Sequence, residues 1–397
     1  MEKKCVVWGT REAGRRLAHQ AEKVGYSVVA YCSSTKDSQG KQINGRPVVS
    51  PEEAKRSCLE GESDYILLGV KNTSYRREIE EIIRRDFSPN IHVIDSDTIE
   101  NEYLVYVRDH LRYQWNVEFT DQAEIWLENF MSEVDFWVKE VAAPKGPRHQ
   151  AYRDKLRNTD FLGIDRTCSR LAEGLNSHSV VMDIGCGLYS MYGNRLPNAE
   201  TLQMIAVDPL APFYNRINEK CAGVEFERTK FGMFEFAANF FEENFCDVIL
   251  INNALDHCID PYKSIIECLY ILKVGGKIRL RHRRAEAVNT AYGGLHKWNI
   301  DYDGQDRFIL WNDKNAVNVS TNLREVADIT LVHGEETCSR ENQMITIEVV
   351  KKRSFPLEDF FNMEDERHQL AFLVEGLMNW ISRHEDGYLG YLESQLT

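Results

Sequence analysis

Between Val180 and Gly187 the chain reads VVMDIGCG: an apolar run, an acid, and two glycines one residue apart. A strand that ends this way delivers its last residues to the carboxyl edge of a parallel sheet, where ligands bind. Gly185 and Gly187 permit backbone angles and a close approach that a Cβ would block. Asp208 closes the next apolar run, QMIAVD, 25 positions after Asp183. An acid there can accept hydrogen bonds from both hydroxyls of a ribose. Groups that move protons or bind anions follow. His282 ends the run GGKIRLRH, and His296 sits in AYGGLHKWNID. Each is a candidate base for a hydroxyl or a protonated amine. Gly293 and Gly294 would let the second segment bend close to a ligand, with His296 and Trp298 projecting toward it. The alternative there is a β-turn with a packed tryptophan. Arg279, Arg281, Arg283 and Arg284 crowd the edge that His282 reaches. Guanidinium forks suit phosphate or carboxylate, so Arg281 and Arg283 join Trp298 as acceptor-binding candidates, with ion pairing to the chain's own carboxylates as the competing use.

The elements that must position these residues are legible as alternation. Over residues 1–100, KCVVWGT, SVVAYCSS, DYILLGV and IHVIDS read as strands, and REAGRRLAHQAEKVG and SYRREIEEIIRRD as amphipathic helices. Strands alternating with helices predict a parallel, doubly wound sheet. Between the second and third strands, GKQINGRPVVSPEEA carries an Asn-Gly turn signal and a Ser-Pro-Glu-Glu helix start. Residues 101–165 change character. YLVYVRDHLRYQW and QAEIWLENFMSEVDFWVKEVA read as amphipathic helices, and APKGP at 143–147 as a breaker. This stretch is a connector, a lid or an oligomer surface, its aromatics chiefly packing residues. Residues 166–352 return to α/β order, with SVVMDIG, QMIAVDP, VEFERT, CDVILINN, GGKIRLRH and MITIEVVKK as strands. From 353 to 397 the pattern is helical. The predicted fold is α/β: two Rossmann-like doubly wound domains (1–100 and 166–352), a helical segment (101–165) and a helical C-terminal extension (353–397).

VVMDIGCG, IAVDP, NNALDHCIDP and YILKVGGKIRL, in that order and spacing, resemble the class I S-adenosylmethionine-dependent methyltransferases. The resemblance covers roughly residues 165–350. It implies methyl transfer with S-adenosylmethionine as cofactor. Asp183, Gly185 and Gly187 would lie along its methionine part and Asp208 would hold the ribose. Met233 and Phe234 would flank adenine, and Asn252, Asn253 and Ala254 would line the cofactor. Leu255, Asp256 and His257 match a Leu-Glu/Asp-His pattern near the methyl group, which adds His257 to His282 and His296 as a candidate catalytic base. The family usually has a third glycine where this chain has Tyr189. A ring there narrows the site, stacks on a ligand, or marks a degenerate one.

The N-terminal loop WGTREAGRR has Gly9 and Gly14 in dinucleotide-loop spacing, but Arg11 stands where the middle glycine lets a pyrophosphate approach. The second strand also lacks the acid expected for a ribose. This region resembles, loosely, the Rossmann-like N-terminal domains of bacterial sugar-modifying enzymes, in which Arg11 or Arg15 would contact a phosphate.

The net charge of −14 argues against bulk nucleic-acid binding. No stretch approaches the length of a membrane span, and the N-terminal apolar run is too short for a signal peptide. None of the ten cysteines falls in a CxxC pair or at zinc-finger spacing, so reduced thiols in a cytoplasmic protein and no metal are expected. The leading expectation is methyl transfer to a small polar acceptor, such as a sugar, nucleotide sugar or glycan precursor. A homo-oligomer stays open. Two alternatives remain: a cofactor-binding but inactive scaffold or sensor, and a nicotinamide-dependent oxidoreductase run by the N-terminal domain.

Overall fold

In the computed structural model, residues 3–70, 73–96, 98–99, 102–103, 106, 115–157, 160–161, 173–221, 226–303, 305–332 and 344–396 are described. The chain forms two compact units. The first is Met1–Gln114 with Ala287–Gly293 and Asp313–Ala316, and the second is Trp115–Glu286, Gly294–Asn312 and Val317–Thr397.

The first unit holds a six-stranded sheet of β1 (Lys3–Trp8), β2 (Tyr26–Cys32), β3 (Gln42–Ile43), β4 (Arg46–Val49), β5 (Tyr65–Leu68) and β6 (His92–Asp95), in the order β3-β4-β2-β1-β5-β6. β1 pairs in parallel with β2 on one side and β5 on the other. Helices α1 (Glu12–Lys23), α2 (Pro51–Leu59) and α3 (Thr73–Asp86) make the crossovers. The predicted Asn-Gly turn joins β3 to β4, with Asn44 at φ 50° and Gly45 at φ 74°, the pair of left-handed residues a tight hairpin needs. Ser50 caps α2: its hydroxyl accepts from Glu53 N at 3.2 Å, and the Glu53 carboxylate accepts from Ser50 N at 2.8 Å.

The second unit is built on a seven-stranded sheet. Its strands are β7 (Val180–Ile184), β8 (Gln203–Asp208), β9 (Lys230–Phe231), β10 (Cys246–Asn252), β11 (Leu272–Arg283), β15 (Ala327–Leu331) and β16 (Met344–Lys351), ordered β15-β16-β11-β10-β7-β8-β9. β7 to β11 run parallel, and β16 lies antiparallel to β11. β12 (Asn299–Tyr302), β13 (Phe308–Trp311) and β14 (Ala316–Asn318) form a separate small sheet. Chain order reverses between β7 and β10, which are hydrogen-bonded neighbours. A parallel sheet opens a crevice outside its carboxyl edge at such a point.

Both faces of this sheet are covered, as parallel sheets require. Ile249 and Ile251 pack into a core with Ile265, Ile266 and Leu269 of α7 (Pro261–Ile271), while Val248 and Leu250 pack on the other face with Tyr192, Leu196 and Leu202. A third cluster gathers α4 (Phe119–Phe136), α5 (His149–Leu156), α6 (Ala211–Cys221) and the start of α8 (Met363–Leu396) around Phe130, Tyr152, Phe213 and Leu373. The helix expected over 122–142 is α-helical to Phe136 and then continues as a π-turn over Trp137–Ala142.

Some expectations differ. In VEFERT, Val224 and Glu225 lie outside the described residues, and Phe226–Thr229 are not strand; pairing begins only at Lys230. Of YLVYVRDHLRYQW, only Tyr103, Tyr106 and Trp115 are described. Among the described residues, no helix is long and apolar enough to cross a membrane, and the eight described cysteines are free thiols.

Candidate functional site

At the carboxyl edge of β7, β8 and β10 lies a cavity with about 900 Å³ of empty space, its open mouth included. Asp183, Gly185, Gly187, Asp208, Met233, Phe234, Asn252, Asn253 and Ala254 all line it. These are the nine positions expected to hold the cofactor.

Local bonding explains the loop. Gly185 N donates to Val207 O at 2.8 Å, which ties the turn after β7 to β8. Asp208 closes it further, its two carboxylate oxygens accepting from Gly187 N at 2.9 Å and Leu210 N at 2.8 Å. Gly187 sits at φ 67°, and a Cβ there would run into the Trp137 ring. Both facts require glycine. Asp183 accepts from the Ser190 hydroxyl at 2.6 Å.

Burial dominates the acids of this wall. It pushes Asp183 up to about 6, against the pull of the Ser190 hydroxyl. It pushes Asp208 up to about 7, against the Leu210 and Gly187 amides. Glu235, which accepts from Ile259 N at 2.6 Å, is likewise raised by burial to about 7.

The other end of the cavity is bordered by His257, in a tight turn that follows β10. Asn253 makes that turn, in the left-handed region at φ 52° that asparagine tolerates. It ties the turn to β11 by donating its N–H to Arg281 O at 2.8 Å and accepting Arg283 N at 3.0 Å. Asp256 is thereby brought against His282. Lys297 N donates to Asp256 O at 3.2 Å, which draws His296 to the same carboxylate.

Asp256 is the hub of this cluster. It is fully buried. His282 Nε2 lies 2.8 Å from its Oδ1, and His296 Nδ1 lies 2.6 Å from its Oδ2. Burial alone would raise Asp256, but the charges of His257 and His282 and the bonds from His282 and His296 hold it well below the usual carboxylate range. Burial likewise works against a charged His296, and the hydrogen bond and charge of Asp256 outweigh it, so its pKa is raised.

Proton placement follows from the partners. His282 Nδ1 faces Arg283 O at 2.7 Å and Nε2 faces the carboxylate. Both partners only accept, so both ring nitrogens carry hydrogen. His296 Nδ1 must donate to Asp256. His257 Nε2 lies 3.0 Å from that same Nδ1, within hydrogen-bond distance.

These contacts correct three expectations. His282 is 0% exposed, does not border the cavity and already holds two protons, so it cannot act as a base. Trp298 is also 0% exposed. It donates Nε1–H to Cys258 O at 2.9 Å and stacks on Trp115, so it anchors the segment beside His296 and does not project toward an acceptor. Neither Arg281 nor Arg283 borders the cavity; Arg283 pairs with Glu286 at 2.8 Å, and Arg284 pairs with Asp301.

Tyr189 does not border the cavity either. Its ring lies against Trp137 and Tyr152, which removes the ground for a blocked cofactor site. Sequence reasoning missed Trp126, Glu133 and Trp137, which α4 and the π-turn bring to the wall. Their spacing of seven and four residues marks one helix face. Glu133 accepts from Trp137 Nε1 at 2.8 Å.

In the first unit, Gly14 packs directly on the backbone of Gly9. These glycines serve close approach of the β1–α1 turn. Arg11 is exposed beside a separate cavity lined by Gly9, Thr10, Ser33, Ser34 and Tyr75.

Residues 182–280 match the family model described as a methyltransferase domain, and residues 1–92 match one described as C2185-like, N-terminal. No curated protein matches the chain. Among solved structures, the SeMet-substituted CurJ carbon methyltransferase is similar with a TM-score of 0.39 and 14% identity, over 86% of this chain and 90% of that one. The 1,6-didemethyltoxoflavin-N1-methyltransferase of Burkholderia thailandensis gives 0.33 and 14%, over 60% and 93%. The UDP-D-quinovosamine 4-dehydrogenase of Vibrio fischeri gives 0.21 and 15%, over 26% and 87%. Likenesses this loose carry neither substrate nor mechanism. The match over 182–280 does carry the activity class: these residues belong to a methyltransferase domain, the chain is a methyltransferase, and S-adenosylmethionine is its cofactor.

Proposed function

We propose that this chain methylates a hydroxyl of a small, uncharged polar acceptor, a sugar or glycan precursor, in the cytoplasm. One observation carries the reading: nine cofactor-binding candidates share one cavity, which His257 borders beside Asp256 and His296. The buried free thiols support the cytoplasmic part.

The residues fit the cofactor. Asn252 Oδ1 is a buried acceptor with no hydrogen-bond partner among the described residues, in the same wall as Asp183. Those two acceptors suit an ammonium group. Asp208 spends one lone pair of each oxygen on a backbone amide, and a carboxylate offers about four, so it can also accept two ribose hydroxyls. Met233 and Phe234 supply apolar surface for adenine. Bound S-adenosylmethionine supplies an electrophilic methyl on a sulfonium leaving group.

The chain's task is then to align, exclude water and take a proton. His257 borders the cavity, and Asp256, 3.8 Å from its Nε2, favours a positive charge on the ring. His257 is therefore the group that takes the acceptor's proton as the methyl leaves the sulfonium. Glu133, Asp183, Asp208 and Glu235 line the cavity, and none of its lining residues is Lys or Arg. This lining favours a neutral hydroxyl over a phosphate-bearing acceptor.

The test is calorimetric titration with S-adenosylhomocysteine, with Asp208→Ala as control. Transfer of labelled methyl to a panel of neutral and phosphorylated sugars follows. Micromolar binding lost in the variant, and label in neutral sugars, are expected. A folded chain that fails to bind, or that labels only phosphorylated sugars, overturns the reading.

A further inference from the structure

Three donors of metal-binding type converge beside the end of the cavity that His257 borders. Asp256 Oδ2 is 2.6 Å from His296 Nδ1. His296 Nδ1 is 3.0 Å from His257 Nε2, which is 3.8 Å from Asp256 Oδ2. Atoms at these separations lie on a circle of about 1.9 Å radius, so one point just off their plane is about 2.1 Å from all three, the bond length of a first-row metal ion to nitrogen and oxygen. We propose that Asp256, His257 and His296 bind one divalent transition-metal ion, whose open positions take an oxygen of the acceptor.

The surroundings support a prepared site. Asp256 is fully buried, and the side chains of His257 and His296 are 17% and 26% exposed, so the donors are shielded while His257 still borders the cavity. The second oxygen of Asp256 is fixed by His282, which Arg283 O holds in turn. Such outer bonds orient metal ligands. The Trp298 bond to Cys258 O and the Lys297 amide bond to Asp256 O hold the His296 segment in place. Glu133 and Glu286 both act on His296 electrostatically and add negative field for a dication. Two imidazoles and one carboxylate favour zinc, manganese, iron, cobalt or nickel over calcium or magnesium, and leave positions open. The ion would displace the proton that His296 Nδ1 now donates to Asp256. It would take over the work of His257 by lowering the proton affinity of a bound hydroxyl, whose proton passes to solvent.

The role toward the acceptor rests on the methyl-transfer reading above; the ion site does not. Tag-free, full-length protein stripped with chelator is titrated calorimetrically with Zn2+ and Mn2+, and the Co2+ complex is followed by its visible absorption. One ion per chain is expected, with affinity at least about a hundredfold weaker in His257→Gln and His296→Gln. Thermal melts establish that both variants fold. No stoichiometric uptake by stripped wild type, or unchanged affinity in folded variants, overturns the site. S-adenosylhomocysteine titrated into the same stripped protein separates the two ideas. Cofactor binding without ion uptake removes the metal and leaves methyl transfer standing. Ion uptake without cofactor binding keeps the site and removes its role toward the acceptor.

Discussion

Asp208 makes cofactor affinity depend on pH in a calculable way. Its carboxyl is pushed up to about 7, first by burial, with the Leu210 and Gly187 amides pulling back. A ribose held by two hydroxyl donors requires the ionised form. At pH 6 only about one Asp208 in ten is ionised, and at pH 8 about nine in ten. Asp208 alone should therefore make the affinity for S-adenosylhomocysteine about tenfold weaker at pH 6 than at pH 8. Asp183, raised by burial to about 6, is half protonated at pH 6 and should add about a further twofold. The ligand's own groups do not titrate in this window. The assay is calorimetry at pH 6, 7 and 8 in two buffers of different ionisation enthalpy. Release of between about one and one and a half protons per site at pH 6, falling toward zero at pH 8, is expected. In Asp208→Asn the slope through pH 7 flattens. Its affinity at pH 8 falls by roughly ten to 150-fold, from losing about 1.5–3 kcal/mol of charged hydrogen bonding. Folding responds with the opposite sign. A carboxyl whose folded pKa is raised contributes stability below the unfolded carboxylate range and loses it as pH rises through about 7. The ligand should thus raise the melting temperature more at pH 8 than at pH 6. Affinity flat from pH 6 to 8, with no proton exchange, would refute the assignment of Asp208 to the ribose.

Gly187→Ala should abolish S-adenosylhomocysteine binding and lower the melting temperature, because it adds a Cβ at φ 67° against the Trp137 ring. Pairing it with Trp137→Leu should return part of the stability but leave the roughly 1–2 kcal/mol of left-handed strain. A single variant that melts like wild type would show that the glycine is dispensable. His282→Gln should cost about 3–5 kcal/mol in denaturant unfolding, because Asp256 loses the imidazolium that neutralises it in the core; a loss below about 1 kcal/mol would mean His282 is not charged. Tyr189→Gly should change ligand affinity by less than about twofold while lowering stability, since the ring packs outside the cavity on Trp137 and Tyr152. A tighter or abolished site would return Tyr189 to the cofactor wall.

The convergence of the nine cofactor candidates on one cavity was legible because that wall is made by local rules. An acid or glycine at the end of a buried parallel strand reaches the sheet edge whatever else the chain does. Asp183, Asp208 and Asn252 needed only their strands to be recognised. The helix face of Trp126, Glu133 and Trp137 was visible as a pattern, but an amphipathic face does not say what it will cover. The arginines failed for a reason the sequence already held. Along β11, Arg279, Arg281 and Arg283 alternate with Ile278, Leu280 and His282, and alternate strand residues point to opposite faces. His282 shares its face with the two core aliphatics, both 0% exposed. Its separation from the arginines follows from that parity. What no local rule supplies is the meeting of Asp256 with His282 and His296, 26 and 40 positions away. That meeting depends on the left-handed turn at Asn253 and on the Lys297 amide bond.

The same meeting explains why a histidine that cannot be a base matters here. A carboxylate buried alone is costly, and its usual escape is to take up a proton. A protonated Asp256 would offer His296 neither a charge nor a reason to hold its proton on Nδ1. The imidazolium of His282 prevents that by neutralising Asp256 through Oδ1, with its own second hydrogen spent on Arg283 O. Oδ2 is thereby free to face His296, and His257 Nε2 lies 3.0 Å from that same His296 Nδ1. The direction of the whole array is fixed from the sheet outward, from β11 through Asp256 to the cavity. The cavity itself is lined by Glu133, Asp183, Asp208 and Glu235, with no Lys or Arg in its lining. On the reading proposed above, such a lining suits a sulfonium and a neutral hydroxyl together and disfavours an acceptor that brings a phosphate.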